Sequence, residues 1–122
     1  MTMTASAEKK SLTAPDEVLD LPKARVELVA IGQHPFARAV MEPGWRWSES
    51  MKASAGTDSC EFPHACYVLS GGMHIAMDDG TELDVAAGDV FVCAPGHDAW
   101  VVGDEPCVLY DLGTAEDTDW GK

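Results

Sequence analysis

Three side chains of the kinds that bind transition metals occur between residues 60 and 97. They are Cys60, His64 and His97, and Asp58 precedes the first of them closely. Zinc prefers thiolate and neutral imidazole ligands, which also suit copper and nickel. Three protein ligands would leave one position open for water or substrate, as in catalytic zinc sites. A divalent metal site is therefore one hypothesis, with zinc as the expected ion and copper, nickel or iron as alternatives.

Each of these residues also has an ordinary structural interpretation. Cys60 could be a small buried hydrophobic residue, and His64 a core histidine bonded to a backbone carbonyl. His97 lies in a predicted turn and could face solvent, and Asp58 could form an Asx-turn. On a straight strand Cys60 and His64 would be about 13 Å apart, too far to share an ion. Pro63 argues against a straight strand there.

Four further residues are candidates for contact with a substrate. Tyr67 and Asp98 are the predicted proton donor or acceptor groups. Trp47 and Trp100 are the predicted substrate-binding residues, because they flank the segments that carry the Cys and His residues. Indole rings stack well against flat or sugar-like ligands. They belong to a wider set of aromatic residues that could line a barrel mouth or simply fill a core: Trp45, Trp47, Phe62, Tyr67, Phe91, Trp100 and Tyr110.

Acidic residues dominate the charge of the chain. It contains 8 Lys and Arg against 21 Asp and Glu, a formal net charge of −13. This charge argues against partnership with nucleic acid or an anionic lipid surface. From Ala53 to Gly121 there is no Lys or Arg, but there are 14 acidic residues. A pocket built from that half has no basic side chain for a phosphate or carboxylate, so it suits a metal cation or a neutral or cationic ligand.

The length of 122 residues is typical of one domain. No apolar run approaches the roughly 18–20 residues of a membrane span. The first 22 residues have no long hydrophobic stretch and no cleavage site, so we expect no secretory signal and a cytoplasmic location. In a reducing cytosol the four cysteines should bind metal or pack rather than form disulfides.

Short apolar runs separated by turn residues predict an all-β domain. Nine strands are predicted after an N-terminal extension, residues 1–22, in which residues 15–20 could form one helical turn. Asp79-Gly80 is the strongest hairpin signal. We expect a β-barrel over residues 23–113 and an acidic tail over residues 114–122. The predicted strands are residues 24–31, 36–42, 45–47, 64–70, 73–78, 81–85, 90–93, 98–102 and 107–112.

The stretches Tyr67–Gly71, Met73–Gly80 and Gly88–Val90, with Pro95-Gly96, resemble the cupin superfamily. The resemblance covers roughly residues 36–112 and implies a double-stranded β-helix, a jelly-roll barrel. This chain departs from the cupin pattern at the metal ligands. His64 occupies the position of the motif's Glu, and Cys60 and Asp58 occupy those of its two His residues. In the second motif Ala94 replaces Pro and Ala99 replaces His, with His97 two residues earlier.

The resemblance implies that Cys60 and His64 converge across a bend, with His97 turning inward as the third ligand. It also implies a homodimer, because small cupins often pair through their sheets. Cupin barrels host many activities, so the fold alone does not define a reaction.

Three functions remain open at the level of sequence. The first is a metal-dependent enzyme that acts on a small molecule through water, carbonyl or dioxygen chemistry. The second is a non-catalytic small-molecule binding or sensory module. The third is a metal-free isomerase or dehydratase that uses His64 and Tyr67 as acid and base, or a Cys60 nucleophile.

Overall fold

Nine strands and two short helices make up the secondary structure of the described chain. The computed structural model describes residues 6–32, 34–60 and 63–113. The strands are β1 Glu17–Leu21, β2 Ala24–Ile31, β3 His34–Met41, β4 His64–Ser70, β5 Gly72–Met77, β6 Glu82–Ala86, β7 Val90–Cys93, β8 His97–Val102 and β9 Cys107–Asp111. The helices are α1 Trp47–Ser50 and α2 Lys52–Ala55. The prediction of an all-β, jelly-roll fold is confirmed.

The strands form two antiparallel sheets. The larger has the order β1-β2-β3-β9-β4-β7 and the smaller has the order β6-β5-β8. Side chains alternate between the two faces of each strand. On β3, Ala37, Ala39 and Met41 are buried, and on β5, Met73 and Ile75 are buried. Of these, Ala39 and Met41 on β3 and Met73 and Ile75 on β5 belong to one hydrophobic core that draws on both sheets.

Several strands coincide with the prediction because their turns are strongly encoded. Residues 24–31, 64–70 and 90–93 are strands with the predicted bounds. At the predicted hairpin, Gly80 has φ +94° and the Asp79 carboxylate accepts the Thr81 N–H at 2.9 Å. Gly tolerates positive φ and Asp bonds the backbone two residues on, so this pair specifies a turn locally.

The predicted helical turn at residues 15–20 is wrong. Glu17–Leu21 is strand β1, and it pairs along its whole length with β2. Its side chains are mostly exposed, so the burial periodicity that predicts a strand is absent, and pairing with β2 decides its conformation. Part of the predicted extension is thus an edge strand of the large sheet. The predicted acidic tail, residues 114–122, lies outside the described residues.

The predicted strand at residues 45–47 is also wrong. Trp47 begins α1, and Arg46 makes only an isolated bridge to Trp100. The Asp98 carboxylate accepts the Ser48 N–H at 3.1 Å. An N–H in the first turn of a helix has no intrahelical partner, and here a residue remote in sequence supplies one. No helix among the described residues is long and apolar enough to cross a membrane.

Gly71 gives a direct test of the turn between the two sheets. It has φ +75°, and a Cβ there would lie 2.2 Å from the Pro106 carbonyl oxygen. Gly71→Ala should therefore lower the free energy of unfolding by about 3 kcal/mol or more, from backbone strain and steric overlap together. Gly80→Ala is the matched control, because φ is also positive but the position is open. Chemical denaturation that shows equal losses for both variants would contradict this account.

Candidate metal centre

A backbone bridge joins the two loop segments that carry Cys60 and His97. The Cys60 N–H donates to the His97 carbonyl at 2.7 Å, and the Cys60 carbonyl accepts the Gly96 N–H at 2.7 Å. Gly96 has φ +93°, a conformation that favours glycine. The resulting turn holds His97 at the first position of β8, with only 4 % of its surface exposed. The thiol and the imidazole therefore lie side by side within the fold.

His64 reaches the same point from a third segment. It is the first residue of β4 and pairs with Cys93 of β7. Its Nε2 lies 3.7 Å from the Cys60 Sγ, and its ring centroid lies 5.2 Å from that of His97. One ligand atom from each of Cys60, His64 and His97 lies within 4.8 Å of the other two. The structure thus brings together all three residues that the sequence proposed as ligands.

Both imidazoles use Nδ1 for a hydrogen bond that fixes the ring. The His64 Nδ1–H donates to the Asp111 carboxylate at 2.5 Å, and the His97 Nδ1–H donates to the Ala94 carbonyl at 2.8 Å. The second oxygen of Asp111 accepts the Gly113 N–H at 3.0 Å. In the neutral rings Nε2 is therefore the unprotonated nitrogen. A carboxylate or carbonyl behind a histidine is the usual support of a metal-binding imidazole, and it increases the basicity of the ligand.

The environment raises the pKa of both imidazoles. Burial is the largest single effect on each and acts to lower the pKa. For His64, hydrogen bonds to Asp111 and Cys60 together outweigh burial and raise the pKa to about 9. For His97, contacts with the thiols of Cys60 and Cys93 and the bond to Ala94 raise it to about 10. Both nitrogens are thus strongly basic, so a metal ion would bind them in competition with a proton.

The spacing of the Cys60 and His64 donors is close to that of a tetrahedral zinc site. Ligands about 2.0–2.3 Å from zinc are roughly 3.4–3.6 Å from one another. The Cys60–His64 distance of 3.7 Å is already near that value. The Cys93 Sγ lies 3.9 Å from the His97 Nε2, so a second thiol borders the cluster.

A second group of potential ligands shares His64 with the first. It consists of His64, Cys66 and Asp111. Asp111 is already bonded to His64 and Gly113. Burial is the main cause that raises the pKa of the Cys66 thiol far above its usual range, and the Asp111 charge adds to it. Because a metal ligand must be a thiolate, Cys66 is a poorer donor than a thiol beside two imidazoles.

The cluster lines a cavity between the sheets. The cavity has a volume of about 610 Å³, and most of its wall is apolar. Trp47, a predicted substrate-binding residue, is among the residues that line it. Trp45 and Phe91 of the wider aromatic set line it as well, and Phe62 lies outside the described residues.

The structure does not bring Tyr67, Asp98 or Trp100 to the cavity. On β4, Cys66 and Val68 face inward, so the intervening Tyr67 faces outward and is 40 % exposed. On β8 the inward positions begin with His97, so Asp98 and Trp100 lie on the outer face by the same alternation.

The outward residues have partners of their own. Asp98 forms an ion pair with Arg46, and the Trp100 ring stacks on His74 with centroids 4.7 Å apart. Asp58, weighed as a fourth ligand, is exposed and lies 3.5 Å from the Lys52 ammonium. The three outward residues and Asp58 therefore lie away from the candidate ligands Cys60, His64 and His97.

Asp111 and Cys93 are the site residues that sequence reasoning missed. Asp111 ends β9, next to β4 in the sheet, and its register partner there is Cys66. The one local signal for Asp111 is that an acidic residue ends an apolar strand. This signal does not show that His64 is its hydrogen-bond partner.

A family model for the EutQ-like cupin domain matches residues 47–108, slightly more than half of the chain. The chain therefore belongs to the EutQ-like cupin domains, within the cupin superfamily, and the resemblance stated from the sequence is confirmed. Among curated proteins, none matches the sequence significantly.

Solved structures share the fold at low sequence identity. AerE from Microcystis aeruginosa is 21% identical with a TM-score of 0.61, over 80% of this chain and 44% of AerE, so the chain spans under half of AerE. A cupin-like protein from Thermotoga maritima is 16% identical with a TM-score of 0.55, over 83% of this chain and 74% of that one. KdgF from Halomonas sp. is 18% identical with a TM-score of 0.54, over 82% of this chain and 91% of KdgF. At these identities the similarity concerns the fold.

Replacing the carboxylate behind His64 tests the electrostatic account of the cluster. Asp111→Asn should bring the pKa of His64 well below 9 in metal-free protein, because the charge that favours imidazolium is lost and the burial that opposes it remains. Imidazole NMR titration measures this value. Asp84→Asn is the matched control, since Asp84 bonds His74 and should change only that residue. An unchanged His64 titration in Asp111→Asn would contradict the assigned cause.

Proposed function

We propose that the chain binds one divalent metal ion, zinc by preference, through Cys60, His64 and His97. The observation that carries this proposal is the convergence of three ligand atoms within 4.8 Å in a buried site. The bonds that occupy Nδ1 of both imidazoles support it, because they leave Nε2 as the ligand atom. The ligand set of one thiol and two imidazoles favours zinc, and copper, nickel or iron are the other candidates.

The residues around the site orient the ligands of the ion, and others limit the access of water. Asp111 orients His64, and the Ala94 carbonyl orients His97. Cys60, as a thiolate, offsets one of the two positive charges. The apolar wall, including Trp47, limits the access of bulk water. When bound, a divalent ion supplies Lewis acidity, which lowers the pKa of water or polarises a carbonyl group.

We further propose that the protein acts as an enzyme on a small molecule held in the cavity. Three protein ligands leave a position for water or substrate, and a cavity of about 610 Å³ lies against the cluster. The structural neighbours include an oxalate decarboxylase from Lactobacillus farciminis in complex with formate, which supports the use of this fold for small-molecule chemistry. A reducing compartment such as the cytosol would suit the site, because the ligand must remain a free thiol.

Metal content is the direct test of the proposal. Untagged protein, never exposed to a nickel column, should contain close to one metal ion per chain by elemental analysis. Cys60→Ala, His64→Gln and His97→Gln should each lower zinc affinity more than the roughly 10- to 100-fold typical of a residue that only orients a ligand.

The matched controls remove a histidine and a cysteine elsewhere in the fold. His74→Gln changes an imidazole on the outer face, and Cys107→Ala changes a thiol in the core. Both should retain the metal content of the wild-type protein. Metal-free wild-type protein that also fails to bind added zinc would refute the metal site. Ligand binding without turnover in metal-loaded protein would favour the binding-module alternative.

We also propose a homodimer that pairs through the outer face of the large sheet beside β7. Val90 and Val92 on this edge strand are 75 % and 74 % exposed, and Tyr67 on the neighbouring strand is 40 % exposed. Two chains that each carry a net charge of −13 repel, so an apolar face is the favourable place for them to meet.

Light scattering during gel filtration tests this pairing. Wild-type protein should have the mass of a dimer at micromolar concentration, and Val92→Lys should shift it to a monomer, because burying an unpaired ammonium is costly. Val102→Lys on the smaller sheet is the control and should leave the mass unchanged. A monomeric wild-type protein would contradict the proposal.

A further inference from the structure

Cys60, His64 and Asp111 form a continuous series of contacts on the wall of the cavity. The Cys60 Sγ lies 3.7 Å from the His64 Nε2, and the His64 Nδ1–H donates to the Asp111 carboxylate at 2.5 Å. The other oxygen of Asp111 accepts the Gly113 N–H at 3.0 Å, which fixes the carboxylate in place. A thiol beside an imidazole that a carboxylate orients is the arrangement of a nucleophilic cysteine. The three residues therefore support a chemistry that needs no metal.

Cys93 offers a comparison within the same cavity. It is 8 % exposed and Cys60 is 7 % exposed, and both line the cavity. The Cys60 Sγ lies within 4.8 Å of a ring nitrogen of both His64 and His97. Among the described residues, Cys93 contacts one imidazole, that of His97, at 3.9 Å, and a neutral carbonyl accepts the other N–H of that ring. Because two imidazoles and a carboxylate lie beside Cys60, it is the better placed nucleophile of the two.

The cavity beside Cys60 suits a small apolar electrophile. Its volume of about 610 Å³ lies within the range of small-molecule sites, and most of its wall is apolar. Trp47, Met73 and Phe91 are among the residues that line it, and flat apolar molecules pack well against such side chains. A molecule that reacts here should therefore carry an electrophilic carbon on a mostly apolar frame.

The backbone around Cys60 distinguishes between two classes of electrophile. In acyl transfer an oxyanion forms beside the sulfur, and donors such as the backbone N–H of the nucleophile stabilise it. The Cys60 N–H already donates to the His97 carbonyl at 2.7 Å, so it is not available for this purpose. Conjugate addition to an α,β-unsaturated carbonyl compound places the developing charge away from the carbon that bonds to sulfur. The geometry therefore favours conjugate addition.

We infer that in the metal-free protein Cys60 is a nucleophile that adds covalently to a small apolar α,β-unsaturated carbonyl compound bound in the cavity. His64 transfers the proton, and Asp111 is a positioning residue that holds His64. This activity goes beyond the proposed function, because it uses the same thiol without an ion.

The addition conserves atoms and electrons without a further reactant. An electron pair of sulfur forms the bond to the β-carbon, and the carbon–carbon double bond becomes a single bond. The proton shared between the Cys60 thiol and the His64 Nε2 ends on the α-carbon. No group leaves, so the net result is the addition of S–H across the double bond.

A bound ion and the covalent adduct exclude each other at Cys60. The sulfur would donate its electron pair either to the metal or to the β-carbon. Zinc should therefore protect Cys60 from modification, and removal of zinc should restore its reactivity.

Modification of the wild-type protein by phenyl vinyl ketone tests the inference. Metal-free protein, prepared with a chelator that is then removed, should gain the mass of one probe molecule, and peptide mapping should place it on Cys60. Cys60 should react at least roughly tenfold faster than Cys66 and Cys93, which line the same cavity. Propiophenone, the saturated analogue, should add no mass and should slow the reaction by competing for the cavity. Modification of Cys93 as fast as that of Cys60, or no modification of Cys60, would overturn the inference.

Variants of His64 and Asp111 separate the chemical step from binding. The rate should saturate with rising probe concentration, because the probe binds before it reacts. His64→Gln should lower the maximal rate at least about 100-fold, and Asp111→Asn about tenfold or more, with the half-saturating concentration unchanged. His74→Gln and Asp84→Asn are the matched controls and should retain the wild-type rate. Equal rates for Asp111→Asn and Asp84→Asn would refute the role of Asp111.

Metal content measured on the same preparation separates this inference from the proposed function. A zinc-binding protein whose metal-free form leaves Cys60 unmodified would refute the nucleophile and leave the metal site standing. A protein that binds no zinc but is modified at Cys60 would do the reverse. Mapping of the wild-type protein gives this result even if the variants fail to fold.

Discussion

The antiparallel bridge between Cys60 and His97 is the constraint on which the candidate site depends. Its backbone hydrogen bonds tie a loop after the helices to the turn that begins β8, so a thiol and an imidazole come together without belonging to a long strand pair. His64 then needs only to begin the neighbouring strand to complete the cluster. Backbone hydrogen bonds fix this placement because the buried N–H and C=O groups must find partners, and here they find one another.

The two nitrogens of each imidazole have different functions at the candidate site. Asp111 and the Ala94 carbonyl occupy Nδ1, and Nε2 remains the basic atom. The same hydrogen bonds keep the two rings in place, which lowers the entropy that an ion must remove when it binds. The Asp111 carboxylate behind His64 also places a negative charge beside a cavity whose described wall contains no Lys or Arg.

The candidate site shows how a common fold can carry candidate ligands that differ from the usual cupin pattern. The family assignment and the structural neighbours establish a cupin fold at identities at which side-chain chemistry is free to diverge. In this chain Cys60 and His64 occupy positions where the cupin pattern has His and Glu, and His97 stands two residues before the usual position. In this chain, local loop geometry decides which of the candidate donors lie together.

The sequence by itself determined the elements whose signals are local. The hairpin at Asp79-Gly80 and the strands between turn residues follow from the residues present, because glycine conformation and alternation act over a few positions. The sequence also shows directly that the three candidate ligands are one cysteine and two histidines.

Only the tertiary structure decided which other segments of the chain these elements contact. The bond from Ser48 in α1 to Asp98 and the bond from His64 to Asp111 each join segments that are distant in sequence. Even β1, which is next to β2 in sequence, takes its strand conformation from pairing with it. The outward positions of Tyr67 and Trp100 also depend on strand register, because a shift of one residue exchanges the two faces of a strand. Register is set by hydrogen bonds to neighbouring strands, and those neighbours are known only once the chain has folded.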